Sequence, residues 1–413
     1  MTRGTTAVSG RLETMKPTIL ALLSAAALLS SHVLGAQAPP SAELIRDVAA
    51  GSFVLVARAD GSVIAWGDGL GGSIPEPRVI DLPGKVLRVA VGEATQYAVL
   101  EDGTVVAWGN NDEGQLGNGA PGANVALGTY PKPSVAPVRV TGLADIIEIE
   151  GGRKHAVALR RDGIVWAWGW RDNGALGGGD ARPAGSQRVV SALAPVAVPG
   201  LEGITQIAVG RAHNLALRRD GHVMSWGANG AGELGVGTLV TGWVPAEVTG
   251  LDRVVAIAAG TGGSHGVSGA VRDDGTVWMW GSNASAMMGN GQGPAAPDDP
   301  GGRNPLPAQV KGIVGAKRLS IGAGHVAALL GDGSLRMWGH NGFGEIGIGT
   351  SGGYLPKPMK VTGITNVAAV TLGSMRSYAV RADGTFWIWG NGHYPTRGLL
   401  AKNLQVPTLL DLR

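Results

Sequence analysis

The chain has 413 residues, a formal net charge of +3, 70 Gly and no Cys. Without Cys it can build neither a disulfide framework nor a thiolate metal site. A balance this close to neutral lacks the electrostatic footprint of a nucleic-acid binder, the more so because segment 1–36 holds Arg3, Arg11 and Lys16 against Glu13 alone.

Taken in order, the chain opens on a targeting pattern. Lys16 precedes an apolar run from Ile19 to Leu29, and small residues follow up to Ala36. This reads as the n-region, h-region and cleavage zone of an export signal over 1–36. Met15 is an alternative start. The run is shorter than the ~20 residues that a membrane span needs, so no stable span is expected once the signal is removed. Residues 37–44 form a linker, and 45–413 form one repeat domain. Export predicts a secreted or periplasmic protein.

From Ile45 onward one unit recurs. Asp-Gly stands at Asp60, Asp102, Asp162, Asp220, Asp274, Asp332 and Asp383. Each is followed by a Trp-Gly pair, at Trp66, Trp108, Trp168, Trp226, Trp280, Trp338 and Trp389. Asp-Gly between apolar runs predicts a hairpin with a two-residue type I′ turn. The Gly excess belongs to these turns and to positions beside Trp, so it signals tight β geometry. After Trp-Gly comes a loop motif, clearest in Asn110–Gly119 and repeated before Leu176-Gly177, Leu234-Gly235 and Ile346-Gly347. A variable loop follows, then a strand led by Pro77, Pro137, Pro195, Pro245, Pro307, Pro358 or Pro407. Pro suits the first residue of a strand, or an edge strand. Repeats of this period mean a solenoid, propeller or array.

Residues 152–179 carry Gly152, His155, Ala158, Leu159, Asp162, Gly163, Val165, Trp168, Gly169, Gly174, Leu176, Gly177 and Gly179. This pattern resembles the regulator of chromosome condensation repeat family. Arg171 departs from it, standing where Asn111, Asn229 and Asn341 keep the pattern. The first and seventh repeats depart most. The resemblance implies an all-β fold, a seven-bladed β-propeller. The N-terminal hairpin has no Pro-led strand before it, and the last Pro-led strand has no hairpin after it. The expectation is therefore that 405–412 pairs with 45–67 and closes the ring within one shared blade. The seven Trp are expected to wedge between blades, each burying about 150–250 Å², with the following Gly leaving room for the next blade's backbone.

Candidate sites are few. His155, His213, His265 and His325 recur at equivalent positions. Four His on four blades suit separate bonds to neighbouring backbone better than one metal ion, so no metal and no cofactor is expected. Gly262–Gly266 matches a Gly-x-Ser-x-Gly elbow and Gly67–Gly72 a Gly-x-Gly-x-x-Gly loop, but neither has the helix its chemistry needs. Asn283-Ala284-Ser285 fits a glycosylation acceptor. With no nucleophile or acid/base constellation, an enzyme is not expected.

The variable loops after Trp-Gly should share one face, and loops on a rigid scaffold carry function. Candidate partner-binding residues there are Tyr130, Lys132, Trp170, Trp243, Asp298, Asp299, Phe343, Tyr354 and Tyr394. The function expected is an exported, monomeric, non-enzymatic propeller that binds a protein, its partner unidentified. The resemblance implies two alternatives: a guanine-nucleotide exchange factor for a small GTPase, and an enzyme inhibitor of the β-lactamase-inhibiting propeller type.

Overall fold

A computed structural model describes residues 44–69, 72–120, 134–179, 191–260, 265–295, 300–392 and 402–412. The export-type segment, and with it most of the linker, lies outside them. The described strands form seven four-stranded antiparallel sheets. The blades span 45–80, 86–139, 146–197, 204–247, 254–309, 316–360 and 367–410, numbered 1 to 7 in that order. Blade 3 shows the plan: Ile146–Gly151 is innermost, followed outward by His155–Arg160, Val165–Gly169 and Ala192–Ala197. Innermost strands of successive blades touch, and the first touches the last, so the blades form a ring.

Every blade takes its four strands from one continuous stretch. This corrects the closure expected from sequence. Leu404–Leu410 pairs with Phe386–Gly390 in blade 7, while blade 1 is completed by its own Gly72–Ile80. Blades 7 and 1 instead meet through side chains. Val54, Val56 and Trp66 pack with Tyr378, Phe386 and Ile388, the Arg58 guanidinium donates to the Leu412 carbonyl at 2.9 Å, and Thr371 Oγ1 donates to the Val48 carbonyl at 3.2 Å.

The Asp-Gly turns are also of a different kind. None of the seven Asp has positive φ; only the Gly does, as at Gly163 with φ 90°. In blade 3 the Gly163 amide donates to the Arg160 carbonyl at 2.9 Å, and the Arg160 amide donates to the Ile164 carbonyl at 2.9 Å. The turn thus has two ordinary central residues followed by a left-handed Gly in a bulge, the longer hairpin solution. Asp is favoured because its carboxylate accepts the amide two residues on. All seven do so, from Asp60 with Ser62 to Asp383 with Thr385.

The Pro residues sit inside the outer strands, not at their starts. In each blade three outer-strand residues, the last of them Pro, oppose the single Trp of the neighbouring strand. Pro137 lies between the pairs Ala107↔Val138 and Gly109↔Ser134, and Pro195 between Ala167↔Val196 and Gly169↔Ala192. A bulge on an edge strand leaves no ladder bond for Pro to break.

The core is divided among the seams between blades. Leu116 and Val140 of blade 2 pack with Ile146, Ala156 and Trp168 of blade 3, and Val248 and Leu251 of blade 4 with Val254, Ile257 and Trp280 of blade 5. Second strands such as His155–Arg160 are buried on both faces because a blade lies on either side. All seven Trp of the Trp-Gly pairs are buried. The Gly after each Trp does not face the next blade. A Cβ there would strike the backbone of the adjoining strand of its own blade, as Gly169 against Lys154 and His155. The Gly that admits the next blade is the one in the Leu-Gly loop motif. A Cβ on Gly117 would lie 2.7 Å from Trp168 Nε1.

Candidate functional site: the loop face and the seams beneath it

Five seams share one polar relay. The indole N–H of each Trp donates to a carbonyl in the preceding blade's loop motif. Trp168 donates to Gln115 (2.8 Å), Trp226 to Ala175 (3.2 Å), Trp280 to Glu233 (2.8 Å), Trp338 to Met287 (2.7 Å) and Trp389 to Glu345 (2.7 Å). In three of them the carbonyl takes a second donor from the same incoming blade: Asn214, Ser268 and Ser377. Those three side chains also meet the buried His of the blade before: His155 Nε2 to Asn214 (2.8 Å), His213 Nε2 to Ser268 (2.9 Å) and His325 Nε2 to Ser377 (2.9 Å). The Nε2 atoms of these three His therefore bond side chains of the next blade. Because Ser268 and Ser377 spend their hydroxyl protons on carbonyls, the imidazoles of His213 and His325 donate from Nε2. Burial pushes His155, His213 and His325 down to about 4. Each ring is committed to a different seam, and no group of three metal-ligating side chains occurs among the described residues.

The relay holds the loops in place. Asn111, Asn229, Asn283 and Asn341 each accept the amide five residues on, at 2.9–3.1 Å, and each donates from Nδ2 to a later loop carbonyl. Each loop is then pinned to the next blade's outer strand by a Gly amide, from Gly119 to Leu193 through Gly349 to Gln405. Asn283 is fully buried with both ends of its amide bonded. It is a loop staple, and its burial is incompatible with glycosylation in the folded disc. The fifth loop motif went unrecognised in the sequence because Met288 replaces Leu; Asn283 and Gly289, six residues apart, were the available signal. Arg171 cannot make this staple, and its Nε is buried without a partner among the described residues.

The candidate binding residues fall into two groups. Trp170 and Trp243 stand on blades 3 and 4. The Trp170 indole donates to Asp172 at 3.0 Å, and the Trp243 carbonyl, in the outer strand of blade 4, accepts the Gly179 amide at 2.9 Å, which ties the blade 3 loop to blade 4. Phe343 and Tyr354 stand on blade 6 and meet through His340, at ring centroid distances of 6.1 and 5.3 Å. His340, which the repeat pattern does not mark, pairs with buried Glu345 at 2.8 Å. That bond raises the imidazole above its usual range. Tyr354 is 42% exposed, and Val240, Val244 and Leu306 add exposed apolar surface on the neighbouring blades 4 and 5. Tyr130, Lys132, Asp298, Asp299 and Tyr394 lie outside the described residues. So does Ser264 of the nucleophile-like Gly262–Gly266 match, and a strand follows that match, starting at Val267. Of the Gly67–Gly72 match, Gly67, Asp68, Gly69 and Gly72 lie in paired strands of blade 1, and the residues between lie outside the described ones.

An open cavity of about 310 Å³ lies on the loop face over blades 3 to 5, lined by Arg153, Trp170, Arg211, Glu233, Thr241 and His265 among others. Glu233 there is buried and accepts the amides of Ala231 (2.8 Å) and Gly266 (3.1 Å). A second charged feature lines the axis, where the innermost strands present Asp47, Arg88, Glu148 and Gln206 at one equivalent position. Asp47 accepts the Val89 amide (3.0 Å), Glu148 the Ile207 amide (3.0 Å) and Gln206 the Ile257 amide (3.1 Å), each from the next blade. Burial raises Glu148 to about 7 and, with repulsion from Glu148, raises Glu150 to about 8.

These blades, seams and loops define a β-propeller of seven like units. The regulator of chromosome condensation (RCC1) repeat model matches residues 102–159, 162–217 and 220–266, and a second RCC1 repeat model matches 86–115, 146–175, 204–233 and 316–345. The chain belongs to the RCC1 repeat family. It is 28% identical over 315 residues to the ultraviolet-B receptor UVR8 of Arabidopsis thaliana, covering 75% of this chain and 66% of that one. It is 28% identical over 353 residues to the E3 ubiquitin-protein ligase HERC2 of Homo sapiens, covering 82% of this chain but 7% of that protein. The chain thus spans less than two thirds of either relative. Prp20p of Saccharomyces cerevisiae, a solved structure described with its binding to Gsp1p and histones, shares the fold with a TM-score of 0.67 at 22% identity, over 93% of this chain and 91% of that one. Among the described residues no helix is long and apolar enough to cross a membrane.

Proposed function

We propose that this protein is exported and works as a non-enzymatic, monomeric propeller that holds a protein partner on its loop face. The observation that carries this reading is the division of labour in each unit. The relay, the Asn staples and the Gly pins fix the loop bases, while Val240 in a loop and Val244, Leu306 and Tyr354 in the outer strands that the loops lead into are presented to solvent. Exposed aromatic and apolar groups on a rigid frame are interface anchors. The export-type pattern at 1–36 supports a partner outside the cytoplasm, and inhibition of an extracytoplasmic enzyme is one form such binding takes. A photo-crosslinking residue at Tyr354 should trap a partner from envelope or medium fractions, and one at Ser334, on a hairpin turn, should trap none. Equal trapping at both positions, or at neither, defeats the reading.

A second reading is a guanine-nucleotide exchange factor. It is favoured by the likeness to Prp20p, whose structure is described with binding to Gsp1p. Accelerated nucleotide release from a small GTPase by purified protein would establish it and displace the first.

A further inference from the structure

We infer that His340 on blade 6, with the Phe343 and Tyr354 rings against it, is a docking point for a carboxylate that the protein partner carries beside an aromatic ring; this rests on the loop-face reading above. The residue after Trp-Gly is Asp68, Asn110, Trp170, Ala228, Ser282, His340 and Asn391 in the seven repeats, so an imidazole stands there on blade 6 alone. His340 and Tyr354 are a cross-strand pair, which sets their rings edge to face at 5.3 Å, and the Phe343 ring lies 6.1 Å from the imidazole. Blade 4 shows that the fold does not need the imidazole. Its Glu233, at the position of Glu345, accepts the Ala231 amide (2.8 Å) and the Gly266 amide of the next blade (3.1 Å). Glu345 keeps the first bond, from the Phe343 amide at 2.9 Å, but gives its other oxygen to His340 Nδ1 at 2.8 Å. That bond engages Nδ1 only. Nε2 is accessible to solvent and has no hydrogen-bond partner among the described residues, in a side chain that is 28% exposed. Gly342 keeps the approach open: a Cβ there would lie 2.8 Å from Nε2, and its φ is not positive, so the backbone does not call for Gly.

Charge selects the occupant. The bond to Glu345 raises the imidazole above its usual range. Against the upward push of burial, the bond from His340 and the backbone amides hold Glu345 below its own. In mildly acidic solution the pair is imidazolium and carboxylate, with Nδ1–H committed to Glu345 and Nε2–H open. The other titratable groups around the ring do not compete for it. His325, on the neighbouring strand opposite Gly339, is buried and stays neutral down to about 4. Tyr354 meets the imidazole by its ring. Lys357, farther along the same outer strand, leans over Gly291 of blade 5, where a Cβ would lie 2.9 Å from its Cε. From His340 to Lys360 the sequence holds one acid, Glu345, and that acid is buried. An incoming group therefore meets an imidazolium N–H and two aromatic rings. An ionised acceptor makes the stronger bond to such a donor, and the rings suit a flat apolar neighbour.

The test uses the full domain, isotope-labelled at the histidine Cε1 carbons, with phenylacetate as the probe. The His340 resonance is assigned by its loss in His340→Gln. Phenylacetate should shift that resonance saturably at about pH 6 and raise its titration midpoint. By linkage, binding should then weaken at least roughly tenfold as the pH rises past the midpoint. Phenylacetamide, of the same shape without the charge, should leave the resonance in place. Phe343→Ala with Tyr354→Ala keeps the reporter and should weaken phenylacetate at least roughly tenfold. Equal shifts with both probes, no shift with either, or binding that keeps its strength above the midpoint overturns the docking point. Full binding by the double variant overturns the aromatic half of the assignment, and inorganic phosphate binding as tightly as phenylacetate overturns the carboxylate half. If phenylacetate fails while crosslinking through Tyr354 persists, the docking point falls and the loop-face reading stands; loss of both removes both.

Discussion

Among the described residues, five seams of the disc carry an indole-to-carbonyl bond, and the two that flank blade 1 show none. The difference follows from the loop that each Trp meets. Blades 2 to 6 have a tight loop motif whose carbonyl faces the incoming indole. Blades 7 and 1 lack it, so Trp66 Nε1 is buried with no partner among the described residues. Other devices hold these seams. Between blades 7 and 1 the Trp66 and Phe386 rings meet edge to face at 6.1 Å, and Tyr378 stacks on Phe386 at 5.9 Å. Between blades 1 and 2, Arg46 donates to the Val86 carbonyl (3.2 Å) and pairs with Glu101 (3.0 Å), while Asp47 accepts the Val89 amide. A ring made from one chain must join its two ends somewhere, and here that join uses aromatic packing and charge instead of the repeated relay.

The largest break in this comparison is Trp280→Ala. It removes a fully buried indole and leaves the Glu233 carbonyl one donor short. Denaturant unfolding should show a loss of about 3–5 kcal/mol. Asp47→Ala acts at a seam without the relay and orphans the Val89 amide, so it should cost about 1–3 kcal/mol. A stability unchanged by Asp47→Ala would show that the axial carboxylate does not lock blades 1 and 2.

The repeats made much of this legible in advance. Asp-Gly and Trp-Gly pairs at matching offsets fix the hairpins, and one buried Trp per unit fixes the number of wedges. The phase of the repeat was not legible in the same way. A periodic sequence can be cut anywhere, and only the pairing of Leu404–Leu410 with Phe386–Gly390 shows that each blade is self-contained. The turn type was missed because Asp-Gly serves both a two-residue turn and a bulged one; the length of the connection decides between them. The relay from His155 to Asn214 to the Ala175 carbonyl spans two blades. No local spacing reports such contacts. His340 was hidden for another reason: it belongs to one unit, so the repeat pattern cannot point to it.

Smaller effects come from titration. Glu148 and Glu150 titrate higher when folded, so their contribution is complete in acid and is lost as pH rises through about 7 and 8. The three buried His titrate lower, so theirs is complete above their ordinary range and is lost as pH falls towards about 4. The melting temperature should therefore peak in mildly acidic to neutral solution and fall on both sides. Glu150→Gln should flatten the alkaline limb and leave the acid limb intact; an unchanged alkaline limb would remove Glu150 from the account.

The indole relay itself is tested most directly by comparing Trp280→Phe with Trp66→Phe in equilibrium unfolding. Both remove similar volume, but among the described residues only the first removes a made hydrogen bond. Trp280→Phe should cost about 0.5–1.5 kcal/mol more than Trp66→Phe. Equal losses, or a larger loss at Trp66, would contradict the claim that the relay distinguishes the five seams from the two.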